Sequence, residues 1–384
     1  MNYPVCIVFA VQSVMLGAYF PRLPDVMAAL ALSEFSLGLC LMAAPIGTLI
    51  GFATAAPIVG RLGLRRASMW AGALCVMTIL LPAFAPTAVL FFITLVIFGI
   101  SIAFIEVAMN AKASEIETMA GRRMMSQCHG FWSIGLMIGA PVAGYFSAAG
   151  FTIGGQFAVL SPILAAIAVI AGYLLPADQP REKPQHSASV FTLPTAAILP
   201  LCLMPAGIMA VEGGVLDWSG VFVELVLKEG EFAVSLVYFA FAGTMAAVRM
   251  VGDRLAEQFG ARTVVLTSCL SASVGMALFV TAADSWVAAA AAALVGGGVA
   301  TVYPLAVSAA GAAGGRSAEQ NIAAIALMSF FAFLVAPPII GLLADLFGLR
   351  VGLGVLIASA LLSASQFRAV ATANQPEPVG SKST

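Results

Sequence analysis

Twelve stretches of apolar side chains divide the chain, each close to the ~20 residues a helix needs to cross the hydrocarbon core of a bilayer. They run over 4–20, 36–59, 68–85, 88–110, 127–148, 154–175, 194–214, 231–251, 263–281, 285–308, 321–344 and 350–369. Short polar breaks separate most of them. One break is long: 176–193 carries Pro180, Pro184, Arg181, Glu182 and Lys183, the pattern of an extended, solvated linker. A polar tail follows, 370–384. The pattern predicts an all-α membrane protein with twelve transmembrane helices in two six-helix bundles, 1–175 and 194–369.

The second bundle repeats the first. Gly63, Arg65, Gly99, Pro141 and Gly144 recur at a constant offset as Gly260, Arg262, Gly296, Pro338 and Gly341. Paired membrane halves enclosing a site between them are the architecture of a secondary transporter. Composition agrees with the bilayer: hydrophobic residues make up 61% and charged residues 9%, with a mean hydropathy of +1.04. Soluble domains carry about 25% charged residues.

Charge placement predicts the orientation. Only Arg22, Lys228 and Arg350 fall on one set of loops, and the other basic residues, Arg249 included, are assigned to the opposite set. By the positive-inside rule both termini and the linker are cytoplasmic. The stub before the first run has no Lys or Arg, an exception that predicts a longer natural N-terminus. No removable signal peptide is expected, because the first run has neither a basic leader nor a small-residue cleavage site.

The sequence also excludes several function classes. The six cysteines are scattered through apolar runs with no CxxC or metal-ligand spacing, so no metal and no cofactor are expected. No basic patch with interleaved aromatics supports nucleic-acid binding. Enzyme chemistry has no Gly-x-x-x-x-Gly-Lys loop and no His-Glu-x-x-His; the only histidines are His129 and His186, the latter in the linker. A monomer is the expected assembly.

The loop after the second run of each half carries a family likeness. Its first copy reads Ala56-Pro-Ile-Val-Gly60-Arg61-Leu-Gly63-Leu-Arg65-Arg66 and its second Asp253-Arg-Leu-Ala-Glu257-Gln-Phe-Gly260-Ala-Arg262. Both resemble the signature loop of the major facilitator superfamily, with Gly60 where the family has an acid and Glu257 keeping it. The resemblance implies a conformational latch at Arg65, Arg66, Glu257 and Arg262; a simple topology signal is the other reading. Ile105-Glu106-Val-Ala-Met-Asn110-Ala resembles the fucose-permease branch. Ser126-Gln127-Cys-His129-Gly130-Phe-Trp132-Ser133 and Val211-Glu212-Gly213-Gly-Val-Leu-Asp217-Trp218 are similar to a related group of bacterial inner-membrane proteins. The first run departs from the sugar permease, with only Gln12, Ser13 and Tyr19 as polar groups.

Glu106 is the first candidate for transport. A charged group at the bilayer centre costs about 2.5–3.5 kcal/mol on insertion scales, so such a residue faces a cavity or a partner. Removal from water favours the neutral form of a carboxyl, which suits it to carrying a proton. The resemblance implies proton coupling there, as in the permease. His129, at similar depth on the next helix, is expected to pair with Glu106. Tyr303 stands at the mirrored position, and Asn110, Gln127 and Gln12 are expected to bind a polar solute. At the other face, Arg22 ends the first helix and Glu212 and Asp217 end the seventh. With Gly17 and Gly214 mirrored, an Arg22–Asp217 or Arg22–Glu212 pair is expected to gate that side. Gly135-x-x-x-Gly139-Ala-Pro141-x-x-Gly144 and Pro337-Pro338-x-x-Gly341 read as packing and hinge elements, the first similar to the superfamily's antiporter signature with one residue inserted.

The reading is a solute transporter of the bacterial inner membrane, proton-coupled and working by alternating access. Drug or metabolite efflux by proton antiport is the alternative, and a membrane sensor or scaffold a second.

Overall fold

A computed structural model describes residues 3–121, 124–179, 192–314 and 316–372. Among them, eleven helices are long and apolar enough to span a membrane: α1 Tyr3–Ala29, α2 Glu34–Leu62, α3 Leu64–Ala83, α4 Ala88–Ala120, α5 Met125–Ala148, α6 Ile153–Tyr173, α7 Leu199–Leu227, α8 Glu231–Phe259, α9 Ala261–Thr281, α10 Ser285–Ala312 and α11 Ala318–Phe347. The twelfth, α12 Leu349–Ser365, is apolar and 17 residues long. Every apolar run is thus a helix. Much of the expected linker and most of the tail, with Arg122, Arg123, Arg181, Lys183, His186 and Lys382, lie outside the described residues.

Local chemistry sets where the spans start. The side chains of Ser33, Thr87, Thr152, Asp284 and Ser317 accept hydrogen bonds from backbone N–H groups in the first turns of α2, α4, α6, α10 and α11. These caps satisfy donors that the helix leaves unpaired. Gly63 and Gly260 end α2 and α8 with φ of 81° and 82°, a conformation that favours glycine.

Several spans are longer than the apolar pattern indicated. α7 continues through Asp217 to Leu227, so Glu212 and Asp217 are interior residues and not helix ends. α8 continues to Phe259, which places Arg249 ten residues inside its end. Arg249 therefore belongs to a membrane helix and not to a basic loop. In both cases polar residues inside an otherwise apolar helix mimic a boundary.

The halves follow one plan. α1 packs on α5 and α6, α2 on α4, and α3 on α4 and α6; α7 packs on α11 and α12, α8 on α10, and α9 on α10 and α12. The repeat is visible atom by atom. Gly99 lies against the carbonyl of Ala44, and Gly296 against that of Phe241, at the same offset as the sequence repeat. Gly17 and Gly214 do not meet. Gly17 packs on the Leu136 backbone within the first half and Gly214 on Leu356 and Ile340 within the second, because each glycine serves close packing inside its own bundle.

Among the described residues, the halves meet where α5 packs on α8, α2 on α11, and the end of α1 on α7 and α8. At the end bearing Arg22 and Lys228, Gly38 abuts the Pro337 backbone, Gly341 abuts Glu34, and Ser235 Oγ donates to the Ala140 carbonyl at 3.1 Å. Pro337 and Pro338 thus stand where backbones of the two halves touch.

Gly296→Ala is expected to destabilise the protein by about 1–3 kcal/mol, since its methyl would press on the Phe241 carbonyl. Gly297→Ala meets only Val248 at 3.7 Å and should leave stability unchanged. Thermal unfolding in detergent compares the two; equal midpoints would contradict the packing described.

Candidate functional site

The interior polar groups sort into two clusters. In the first, Glu106 of α4 accepts a hydrogen bond from Gln12 Nε2 of α1 at 3.1 Å and from Asn110 Nδ2 at 3.0 Å. Asn110 is one helical turn from Glu106, the spacing that brings i and i+4 side chains together. Gln12 is buried at 2% exposure, and its Oε1 has no hydrogen-bond partner. Tyr303, from α10 of the other half, lies close enough to interact with the charge of Glu106. Glu106, Asn110 and Tyr303 all keep partial exposure, so they border an interior cleft and not solid core.

The second cluster crosses between the halves. Arg249 of α8 pairs with Glu212 of α7, Nη2 lying 3.4 Å from both carboxylate oxygens. Its Nη1 donates to Ser133 Oγ of α5 at 2.9 Å, and its guanidinium stands 5.7 Å from the centre of the Trp132 ring. Both charged side chains are largely buried, and each neutralises the other.

The expected Glu106–His129 pair is not formed. Glu106 is occupied by two amides, while His129 sits edge-on to Phe9, with ring centroids 5.4 Å apart, and within reach of the Arg249 charge. With its two carboxyl oxygens taken by Gln12 and Asn110, Glu106 has no contact left for His129, whose ring packs on Phe9 instead. Gln127 is half-buried in the first turn of α5 and takes no part in either cluster.

Neither expected gate pair forms. Arg22 is buried at 3% exposure and is engaged by Asp25, by Gln156 Oε1 at 2.7 Å and by the Phe151 carbonyl at 2.7 Å, all within the first half. Glu212 belongs to Arg249. Asp217 is half-buried and, among the described residues, has no hydrogen bond or ion pair.

At the basic end, the acid missing at Gly60 is supplied from elsewhere. Asp178, just after α6, accepts from the Arg65 backbone N–H at 2.9 Å and from Lys112 Nζ at 2.9 Å. Lys112 is fully buried and also pairs with Glu115 at 2.5 Å. Arg65 donates further to the Tyr173 carbonyl and lies over that ring, whereas Arg66 and Glu257 are exposed. Arg262 stacks on Phe367. Sequence reasoning missed Asp178 and Arg249 because each sat next to a polar boundary; the apolar residues on both sides of Arg249 were the available signal.

Comparison with known proteins agrees with this architecture. The family model of the Major Facilitator Superfamily matches residues 5–228. The chain is 32% identical over 352 residues to the uncharacterized transporter y4wD of Sinorhizobium fredii, covering 88% of this chain and 89% of the relative. It is 28% identical to an uncharacterized MFS-type transporter of Yersinia pestis, over 94% of each, and 28% identical to membrane protein MosC of Rhizobium meliloti, over 96% and 90%. Among solved structures, the nucleoside transporter NupG superposes with a TM-score of 0.71 at 14% identity, covering 96% of this chain and 98% of that one. A bacterial homologue of the lysosomal transporter Spinster gives 0.69 at 13%, over 98% of both.

Glu212→Gln leaves the Arg249 charge without its counter-ion. It should lower stability by about 3–5 kcal/mol, the range for breaking a buried pair. The double variant Glu212→Gln/Arg249→Gln should recover part of the loss. Thermal unfolding of the two variants tests this, and a double variant no more stable than the single one would contradict the pairing.

Proposed function

The chain belongs to the major facilitator superfamily as a membrane transporter, not an enzyme, and we propose that it carries a small polar solute by proton-coupled alternating access, with Glu106 as the proton-carrying group. The bonding of Glu106 carries the reading. Its carboxyl is held by two neutral amides, Gln12 and Asn110, and by no cation among the described residues. An acid so placed gains or loses charge without breaking an ion pair. Gaining a proton removes the charge that the amides stabilise, so the proton alters how α1 and α4 hold together. That gives protonation a differential effect on two arrangements of the halves, as any coupled equilibrium requires.

Solute binding is assigned to the surrounding polar atoms. Gln12 offers an unused carbonyl, Asn110 an amide and Tyr303 a hydroxyl from the opposite half. Trp132 adds an aromatic face beside Arg249. Arg249 and Ser133 form a bridge between halves, and the Gly38–Pro337 and Gly341–Glu34 contacts close the end bearing Arg22; the latter must part when the cleft opens to that side. The Arg65–Asp178–Lys112 assembly fixes the basic loop to α4 and α6 and acts as the latch of the first half. The basic loops face the cytoplasm of a bacterial inner membrane, with both termini on that side.

Reconstituted protein tests the coupling. Glu106→Gln should abolish solute accumulation driven by an imposed pH gradient while leaving solute exchange at equilibrium partly intact. Accumulation by Glu106→Gln at the wild-type level would remove Glu106 from the mechanism.

A further inference from the structure

The charges bordering the cleft do not balance. Arg249 is neutralised by Glu212 and Glu106 is held by amides, which leaves Asp217 as the acid with no partner among the described residues. Its position is telling. Between Ile208 and Val223, α7 is buried except at Ala210 and Asp217, and the same seven-residue step leads back to Leu203 and on to Glu224. Residues seven apart fall two turns along one face of a helix, so these four positions form a single accessible stripe on an otherwise enclosed helix. Asp217 therefore lies on the one open face of this stretch of α7.

A second observation points to a ligand. Tyr19 of α1, 3% exposed, has a hydroxyl with no hydrogen-bond partner and lies within electrostatic reach of Asp217. Tyr238 of α8 also feels that charge, but its hydroxyl is already donated to the Leu216 carbonyl at 2.7 Å. The carboxylate thus stands between tyrosines of the two halves with its counter-charge missing.

The outer end of the stripe has the same sign. Outside the Ser235–Ala140 contact, a pocket of about 380 Å³ is lined by Asp25, Glu224, Glu229, Glu231, Arg22 and Lys228 among others. Arg22 is consumed by Asp25, Gln156 and Phe151, so the pocket presents an excess of acid. Glu224 lies on the Asp217 stripe, two turns further out. Acidic clefts with low-dielectric walls concentrate cations.

We propose that the transported solute carries a protonated amine and that Asp217 binds it. This rests on the transporter reading above and names its substrate class. An ammonium group needs one carboxylate and gains from aromatic neighbours. A bare metal cation needs a shell of several oxygen ligands. The described residues hold no group of three metal-ligating side chains, so the site suits the organic ion.

The test uses matched amine, neutral and carboxylate forms of one skeleton (glucosamine, glucose and glucuronate, then the corresponding four- to six-carbon aminopolyols, polyols and sugar acids). Binding is read as thermal stabilisation of the purified, detergent-solubilised chain, with exchange measured in liposomes. Amine forms are expected to bind, at least tenfold more weakly to Asp217→Asn, with Asp217→Glu restoring most of the affinity and sodium chloride failing to compete against potassium chloride of equal strength. Preference for a neutral or carboxylate form, amine binding unchanged in Asp217→Asn, competition by sodium, or no binding across the series by folded protein would each overturn the proposal. Exchange of a neutral form would end the amine inference alone, leaving transport intact; the separate Glu106→Gln test decides the coupling role of Glu106 and not the amine inference.

Discussion

Charged side chains enclosed in this bundle, Asp217 excepted, are matched by something other than water, and that constraint organises the molecule. The matches are few and specific: Glu106 with two amides, Arg249 with Glu212 and Ser133, Arg22 with Asp25 and Gln156, Lys112 with Glu115 and Asp178. Leaving such a group unmatched in hydrocarbon costs several kcal/mol, a sizeable part of any domain's net stability. The matches therefore pin particular helices to one another. Most act within a half. The Arg249–Ser133 bond acts between halves, where it can be made in one arrangement and released in another.

The halves share a backbone plan but not a chemistry. At the repeat offset, Glu106 corresponds to Tyr303, Arg249 to Phe52, Glu212 to Met15 and Asp217 to Phe20. The glycine contacts and loop conformations are duplicated; the charges are not. Small residues at close helix crossings set how bundles pack, and any sequence keeping them keeps the fold. The cleft is free to differ on its two walls. One wall supplies an amide-held acid, the other an ion pair and a lone carboxylate.

The fold was legible because bilayer thickness imposes a length on every apolar run, and because the glycine repeat marks contacts that tolerate no side chain. Glu106, Gln12, Asn110 and Tyr303 were legible as a group for a related reason, each being polar in a setting that penalises polarity. The pairings were not. His129 and Glu106 lie on adjacent helices, but which way a side chain turns depends on neighbours such as Phe9 and Arg249 that no spacing rule reveals. Glu212 and Asp217 looked like a helix end because polar residues at a boundary and polar residues in a cleft share one signature. Asp178 compensates for the acid missing at Gly60 from 118 positions away, a distance only tertiary structure spans.

In the proposed mechanism the two bundles move about a shared polar cleft, one end closing as the other opens. Pulsed electron spin resonance on a cysteine-free background measures this directly, with spin-label pairs at Ala149 and Ala283 on the Arg22 end and at Arg61 and Gln258 on the basic end. The account predicts two populations in which the first distance lengthens as the second shortens when protein in liposomes passes from neutral to acidic buffer. Distances that stay fixed at both ends, or lengthen together, would contradict it.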